Sequence, residues 1–174
     1  PNTGLFTITW SDNTGGSSDP NVTDLGAGAY SVLVTDVLGC TQNANLVIQQ
    51  PAAITGDLNT RDATCFGDAD GQIIADIDGG IPGYEYSWSV PGSGPTIDNI
   101  PAGDYELLVT DANDCEFVIQ ATIEQPDEVT ANAQPQDVIC AGDATGRILA
   151  VGGGGRPPFT YSLDGQFYTR SDQF

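Results

Sequence analysis

Four cysteines and two aspartate-bearing loops are the residues of this chain best suited to chemistry, and both sets recur. Cys40 returns as Cys115 and Cys65 as Cys140, each about 75 positions later, and Asp68-Ala69-Asp70-Gly71 returns as Asp143-Ala144-Thr145-Gly146 at the same spacing. Thiols in such a pattern can close disulfides or share a zinc ion with histidine. The chain has no histidine, which points to a disulfide framework and an oxidising compartment. Asp68 and Asp70, flanking one residue and followed by a glycine that permits a sharp turn, match a fragment of a calcium loop with oxygen ligands. A full loop of the EF-hand type would also want a carboxylate at Phe66 and a terminal Glu, and the third copy keeps only one of the two carboxylates. A turn in which Asp caps backbone amides accounts equally well for Asp68 and Asp143. Calcium at Asp68 and Asp70 therefore stands as a weak expectation beside a capped turn with no cofactor.

Other chemistries find less support. Without histidine or lysine, triads of the Ser-His-Asp or Cys-His kind are excluded, and acid-base work would fall to carboxylates alone. Paired acids of a glycosidase must converge in a cleft, and nothing in the repeats provides one. Catalysis is not expected. Asp36 and Asp111 each follow a Thr at the end of a strand and are read as turn caps. Asn21-Val22-Thr23 is formally an N-glycosylation sequon on a variable loop.

The cysteines and aspartates sit in a tandem array. Tyr30 recurs as Tyr105, Asp36 as Asp111 and Pro51 as Pro126. Trp10 recurs as Trp88, but the path from Trp10 to Tyr30 is three residues longer than that from Trp88 to Tyr105. The extra length falls within Asp12 to Thr23, opposite the stretch after Trp88 that holds Val90 to Ile97, and a length change confined to a stretch rich in Gly, Ser and Pro marks a surface loop. The reading divides the chain into the C-terminal part of a first repeat (1–51), a complete second repeat (52–126) and the N-terminal part of a third (127–174). Both ends then fall in mid-repeat, as in a window cut from a longer array whose end repeats would carry polar caps.

A unit of this size buries only a modest core and needs reinforcement. There are 24 acidic residues against four basic ones, giving a formal charge of −20. This argues against nucleic acid or anionic membrane as a partner. No apolar run approaches the roughly 20 residues that span a bilayer, so direct membrane insertion is not expected.

The elements read as strands. Tyr105, Leu107 and Val109 alternate with Glu106, Leu108 and Thr110, and Tyr30, Val32 and Val34 repeat the phase. Ile73, Ala75 and Ile77, then Tyr84, Tyr86 and Trp88, then Phe117, Ile119, Ala121 and Ile123, show the same period of two, which marks half-buried strands. Glycine and proline clusters separate them, and no helical period persists. Six strands follow for the complete repeat: one near 54–65, then one each from Gln72, from Tyr84, near Thr96 to Ile100, from Asp104 and from Glu116. The fold class is all-β, as tandem immunoglobulin-like β-sandwiches in which Tyr105 plays the part of a tyrosine corner.

Two disulfide schemes follow. Cys65 can pair with Cys115 inside the repeat, leaving Cys40 and Cys140 to other repeat halves, or Cys40 can pair with Cys65 and Cys115 with Cys140. Four strand passes between Cys65 and Cys115 would return the chain to the same pole, and Cys115 shares the inward phase of Phe117 and Ile119. That parity favours the Cys65–Cys115 bridge, on condition that one strand, no more, lies between the third and the Tyr105 strand. Closing such a loop is worth about 4 kcal/mol.

The run Thr64-Cys65-Phe66-Gly67-Asp68-Ala69-Asp70-Gly71, followed by Gly79-Gly80-Ile81-Pro82-Gly83-Tyr84 through Trp88, Ile100-Pro101-Ala102-Gly103-Asp104-Tyr105 and Val109 through Cys115, resembles the SprB-type repeat of Bacteroidota surface adhesins. Phe6 to Pro51 resembles the back of that repeat and Cys140 to Leu163 its front, with Leu163 where the family usually has Trp. The resemblance implies a long secreted cell-surface protein of a gliding or surface-attached bacterium, exported by the type IX route, with a mechanical and adhesive role. A stalk or filament segment is the leading expectation, with neighbouring repeats of the same chain as partners. The alternatives are a module binding polysaccharide or calcium-bridged surfaces through exposed aromatics, and a self-associating filament subunit. Trp88 shares the phase of Tyr84 and Tyr86, which places it in the core.

Overall fold

The computed structural model describes residues 6–11, 17–162 and 165, and among them every regular element is a strand. Residues 12–16 of the variable loop, and Leu163, lie outside the described residues. The chain divides into two compact units, Pro1–Ala52 and Ala53–Phe174.

Within the second unit, the complete repeat forms the six expected strands. They are β4 (Thr55–Arg61), β5 (Gly71–Asp78), β6 (Glu85–Trp88), β7 (Thr96–Ile100), β8 (Gly103–Thr110) and β9 (Glu116–Ile123). The sheets are β4-β5-β7 and β6-β8-β9, antiparallel throughout, and this is the two-sheet arrangement of a small sandwich. Alternation decides which side chains meet between them. Ile73 and Ala75 from β5 pack against Trp88, Ile97, Ile100, Tyr105, Leu107, Val109 and Ile123, and Leu107 and Ile73 are wholly enclosed. Each such enclosed aliphatic side chain contributes roughly 1.5–3 kcal/mol. Tyr105 forms the anticipated corner: its hydroxyl donates to the Pro101 carbonyl at 2.7 Å.

The first unit repeats one of these sheets. Its strands β1 (Phe6–Trp10), β2 (Gly28–Asp36) and β3 (Thr41–Ile48) pair in the order β1-β2-β3, as β6, β8 and β9 do. The Tyr30 hydroxyl donates to Gly26 at 2.8 Å, the same corner 75 residues earlier. Val32 and Val34 correspond to the enclosed Leu107 and Val109 but are only half-buried. Residues 22–25, which match β7, form no strand, because none of the described residues of this unit supplies the β5-like partner that they would pair with. Strands β10 (Thr130–Gln136) and β11 (Arg147–Gly153) form a two-stranded sheet matching the β4–β5 pair.

The path of the chain through the complete repeat departs from the sequence reading in one respect. Strand β4 begins opposite Asp78 and ends opposite Gln72; call the first end proximal and the second distal. Strand β6 starts at the proximal pole, Glu85 opposite Thr110, but stops at mid-height with Trp88 opposite Leu107. Strand β7 starts at mid-height on the other sheet, Thr96 opposite Ile74, and ends at the distal pole with Ile100 opposite Gly71. The two short strands run the same way and share a single crossing. Three passes, not four, therefore separate the loop of Cys65 from the turn of Cys115.

This overturns the parity argument for a Cys65–Cys115 bridge. The Gly67 amide, two residues beyond Cys65, donates to the Gln125 side chain at 2.8 Å, so Cys65 lies at the distal pole. Cys115 precedes β9 at the proximal pole. Eight residues of strand separate the two ends of β9, about 25 Å at ~3.3 Å per residue, whereas bridged cysteines need Cα atoms within about 7 Å. Nor does the Cys115 sulfur point under the sheet. Cys115 lies outside the ladder, whose last pair is Thr110 with Glu116, so the inward phase of Phe117 does not extend to it, and it is exposed. All four cysteines are exposed and unbridged. Peptide mapping of the oxidised, folded chain under non-reducing conditions is expected to yield no peptide linking Cys65 to Cys115; recovery of that peptide in good yield would refute the assigned path.

Candidate functional site

The polar side chains that sequence analysis singled out gather at the two poles. At the proximal pole Asp111 is buried in the turn between β8 and β9. One carboxylate oxygen accepts the amides of Asn113 at 2.8 Å and Cys115 at 3.0 Å, and the other accepts the Ile81 amide at 3.0 Å from the loop between β5 and β6. The expected turn cap is present, and it also pins a second loop. Asp36 caps its own turn in the same way, through Leu38 at 2.9 Å and Cys40 at 2.8 Å. The amides of Ile81 and Cys115 hold the Asp111 carboxyl below the usual carboxylate range against the opposing effect of burial. The Asp111 charge in turn raises the pKa of the Cys115 thiol.

Gly79 and Gly80 complete this pole. Both adopt positive φ, and a Cβ on Gly79 would stand 2.1 Å from the Ala53 carbonyl oxygen. A Cβ on Gly80 would press on Asp111 and Ile54 at 2.8 Å. The double glycine thus lets the loop lie against the first residues of the repeat, and Gly154 repeats the arrangement against Glu128.

At the distal pole Asp70, not Asp68, does the capping. Its carboxylate accepts the Thr64 amide at 2.9 Å and, more closely, the Thr64 hydroxyl, closing the loop that carries Cys65. These bonds lower its pKa, the hydroxyl contributing most. Asp68 ends a tight turn through its own amide, which donates to the Cys65 carbonyl at 3.2 Å, and Asp143 does the same with Cys140. In the third copy Thr145 replaces Asp70, and its hydroxyl accepts the Ile139 amide at 3.1 Å. A neutral hydroxyl in the same place closes the same loop, as a cap does. Among the described residues no group of three or more Asp, Glu, Cys or His side chains is placed to hold a metal ion.

Three distal contacts were not read from the sequence. The Ala63 amide donates to the Glu124 carbonyl at 2.9 Å, the Glu124 amide to the Asp62 carboxylate at 3.0 Å, and the Gly67 amide to Gln125. They tie the segment leaving the repeat to the loop after β4. The signal was present in the recurrence of Gln50-Pro51 as Gln125-Pro126, read there only as a linker.

Both indoles are engaged by backbone carbonyls. Trp88 is buried and donates its indole N–H to Gly94 at 3.0 Å. Trp10 donates to Asp19, the matching position, at 2.8 Å. The three-residue insertion therefore lies between the indole and the carbonyl that it reaches. Asn21 is exposed and its amide donates to Asp19 at 2.9 Å.

The order of elements, the capped loops and the recurring indole bond define one repeat, and the family model of the SprB repeat matches residues 58–93 and 132–166. Both stretches are similar to the SprB repeat. The two matched stretches cover nearly the same part of the unit, from the first strand past the third. The copy from Phe6 to Pro51 lies outside them and is joined to them by the shared register, corner and caps. This family is a structural repeat of surface-exposed, adhesin-like proteins and not an enzymatic one. No curated protein matches the chain. Among the described residues no helix is long and apolar enough to cross a membrane.

Two outcomes follow from these caps. Because the folded state lowers the Asp111 pKa, its contribution to stability is complete above the unfolded value of about 3.9 and is lost as pH falls through the lower folded value. The urea midpoint of the wild-type chain is expected to fall below about pH 4, and Asp111→Asn to lower the midpoint at neutral pH and flatten that acid limb. Asp70→Thr is expected to melt close to wild type and Asp70→Ala clearly lower, with millimolar calcium shifting none of the three. A calcium-dependent rise in melting temperature abolished by Asp70→Thr would restore the metal reading.

Proposed function

We propose that this chain is a stalk or filament segment of a long secreted adhesin, built from the repeats 1–51, 52–126 and 127–174 and working by being repeated. The observation that carries this reading is the path of the complete repeat. The chain enters at the proximal pole, makes five passes with β6 and β7 sharing one, and leaves at the distal pole. An odd number of passes sends the exit of the complete repeat to the pole opposite its entrance, the connectivity that an extended array of repeats needs. The exit segment is held by its bonds to Asp62, Ala63 and Gly67, which fixes the direction in which it departs. The natural partner of each repeat is then the next repeat, and the position of the chain is extracellular, at the cell surface.

Burial of Trp88 and engagement of both indoles by backbone carbonyls favour the stalk over a tryptophan-based polysaccharide site. The acidic surface suits exposure to salt water and discourages association with polyanions. Concatemers of residues 52–126 with two, four and eight units, viewed by electron microscopy, are expected to lengthen linearly. Each unit is expected to add at least the span of its eight-residue strands, about 25 Å at ~3.3 Å per residue. Concatemers that collapse to globules, or that lengthen by less than one strand per unit, would defeat the reading.

A further inference from the structure

We infer that the bonds between the loop after β4 and the exit segment form a latch that carries tension across the repeat, an inference that rests on the stalk reading. Strands β4 and β9 lie beside each other and run in the same direction. Strand β4 begins at the proximal pole, where Thr55 faces Asp78, and β9 begins there too, where Glu116 faces Thr110. Both end at the distal pole, and there Gly71 sits among Arg61, Ile100 and Ile123, the atoms that its missing Cβ would meet.

Tension in a stalk pulls the repeat at Ala53 and at Gln125. The force enters β4 along its axis and finds two routes out. One runs through the whole sandwich, strand by strand. The other runs down the covalent backbone of β4 and crosses directly to the exit segment through Ala63–Glu124, Asp62–Glu124 and Gly67–Gln125. The second route is shorter and loads its three hydrogen bonds together. At each end the ladder is also sheared: β4 slides along β5 over seven paired residues and β9 along β8 over eight. No pair can open before its neighbours, as it would in a hairpin pulled from its open end. Ala63 is fully buried, so water does not readily replace its bond to Glu124. The latch closes contacts 58 to 62 residues apart in sequence, which makes it a late and separate addition to the hairpins. Interactions of that kind raise the barrier to unfolding more than the folding rate when they are absent from the transition state, and forced unfolding is governed by that barrier.

The cysteines supply the control geometry. With Cys40→Ser and Cys140→Ser, handles attached to Cys65 and Cys115 pull on the loop after β4 and on the proximal turn, leaving Glu124 and Gln125 slack. The full chain is stretched by single-molecule force spectroscopy in two ways, by its termini and by these two thiols. Only the lengthening event of the complete repeat is scored, at roughly 3.3–3.6 Å per residue released. The unfolding force is expected to be higher through the termini than through the thiols. Asp62→Ala with Gln125→Ala is expected to remove that difference while leaving the force through the thiols unchanged. Gln125→Ala alone gives the same comparison if the double variant does not fold, and Gln125→Glu, which keeps an acceptor oxygen, is expected to retain the difference. Equal wild-type forces in the two directions, or a loss shared equally by both directions in the variant, would overturn the latch. Either result would leave the stalk reading standing on the concatemer lengths.

Discussion

The crossing from Trp88 to Thr96 is the constraint on which the rest of this repeat depends. Two strands of four and five residues cannot each span a sandwich whose central strands have eight. They divide one span between the two sheets, and the change of sheet takes place at mid-height. The Trp88 indole fixes the change by donating to Gly94. The Ala75 amide receives the incoming chain through the Pro95 carbonyl at 2.7 Å, and Gly92 lies so close to Ile97 that a Cβ would stand 2.6 Å from it. Were each strand a full pass, the chain would leave beside its own entrance and the two cysteines would share a pole.

Comparison of the copies separates what a position must do from the residue that does it. Asp70 and Thr145 differ in charge yet close the same loop. Gly39 and Asp114 differ in side chain, yet both take positive φ, 86° and 59°, in equivalent turns. Asp24 and Asn99 do so as well, at 60° and 56°, and aspartate and asparagine tolerate that region better than most residues. By contrast the capping aspartate, the corner tyrosine and the indole bond recur unchanged. A core of this size gives limited stabilisation, and these few polar pins hold loops that apolar packing does not reach.

The strands were legible because a period of two survives translation from sequence to structure without knowledge of the neighbours. β7 and β9 begin and end where the alternation and the turn residues place them, and Tyr105 shows its corner through its position at the head of a strand. The pairing of Cys65 was not legible, since counting runs of alternation gives the number of strands and not the fraction of the sandwich that each one crosses. The shortness of Tyr84 to Trp88 and of Thr96 to Ile100 was the available sign. The role of Asp70 was obscured by its resemblance to a calcium ligand, and substitution by Thr145 gains meaning only when Ile139 is seen to donate to it. The distal bonds were hidden for another reason: they join backbone amides to residues some 60 positions away, and a backbone amide has no signature in a sequence.

Charge alone does not order the segment that leaves the complete repeat. A formal charge of −20 makes the chain self-repelling, and the β4–β5 ladder even sets Asp57 directly opposite Asp76, a pairing that weakens a sheet. At physiological ionic strength, however, such repulsion fades over about 8 Å, well short of the roughly 25 Å between the poles of one repeat. Charges on different repeats therefore act on each other only close to the joint. Short-range bonds act at the pole where the chain leaves the complete repeat. Asp62, Ala63 and Gly67 hold Glu124 and Gln125 there, and Pro126 restricts the residue before it to extended conformations. The order of this departing segment comes from those bonds and not from the charge.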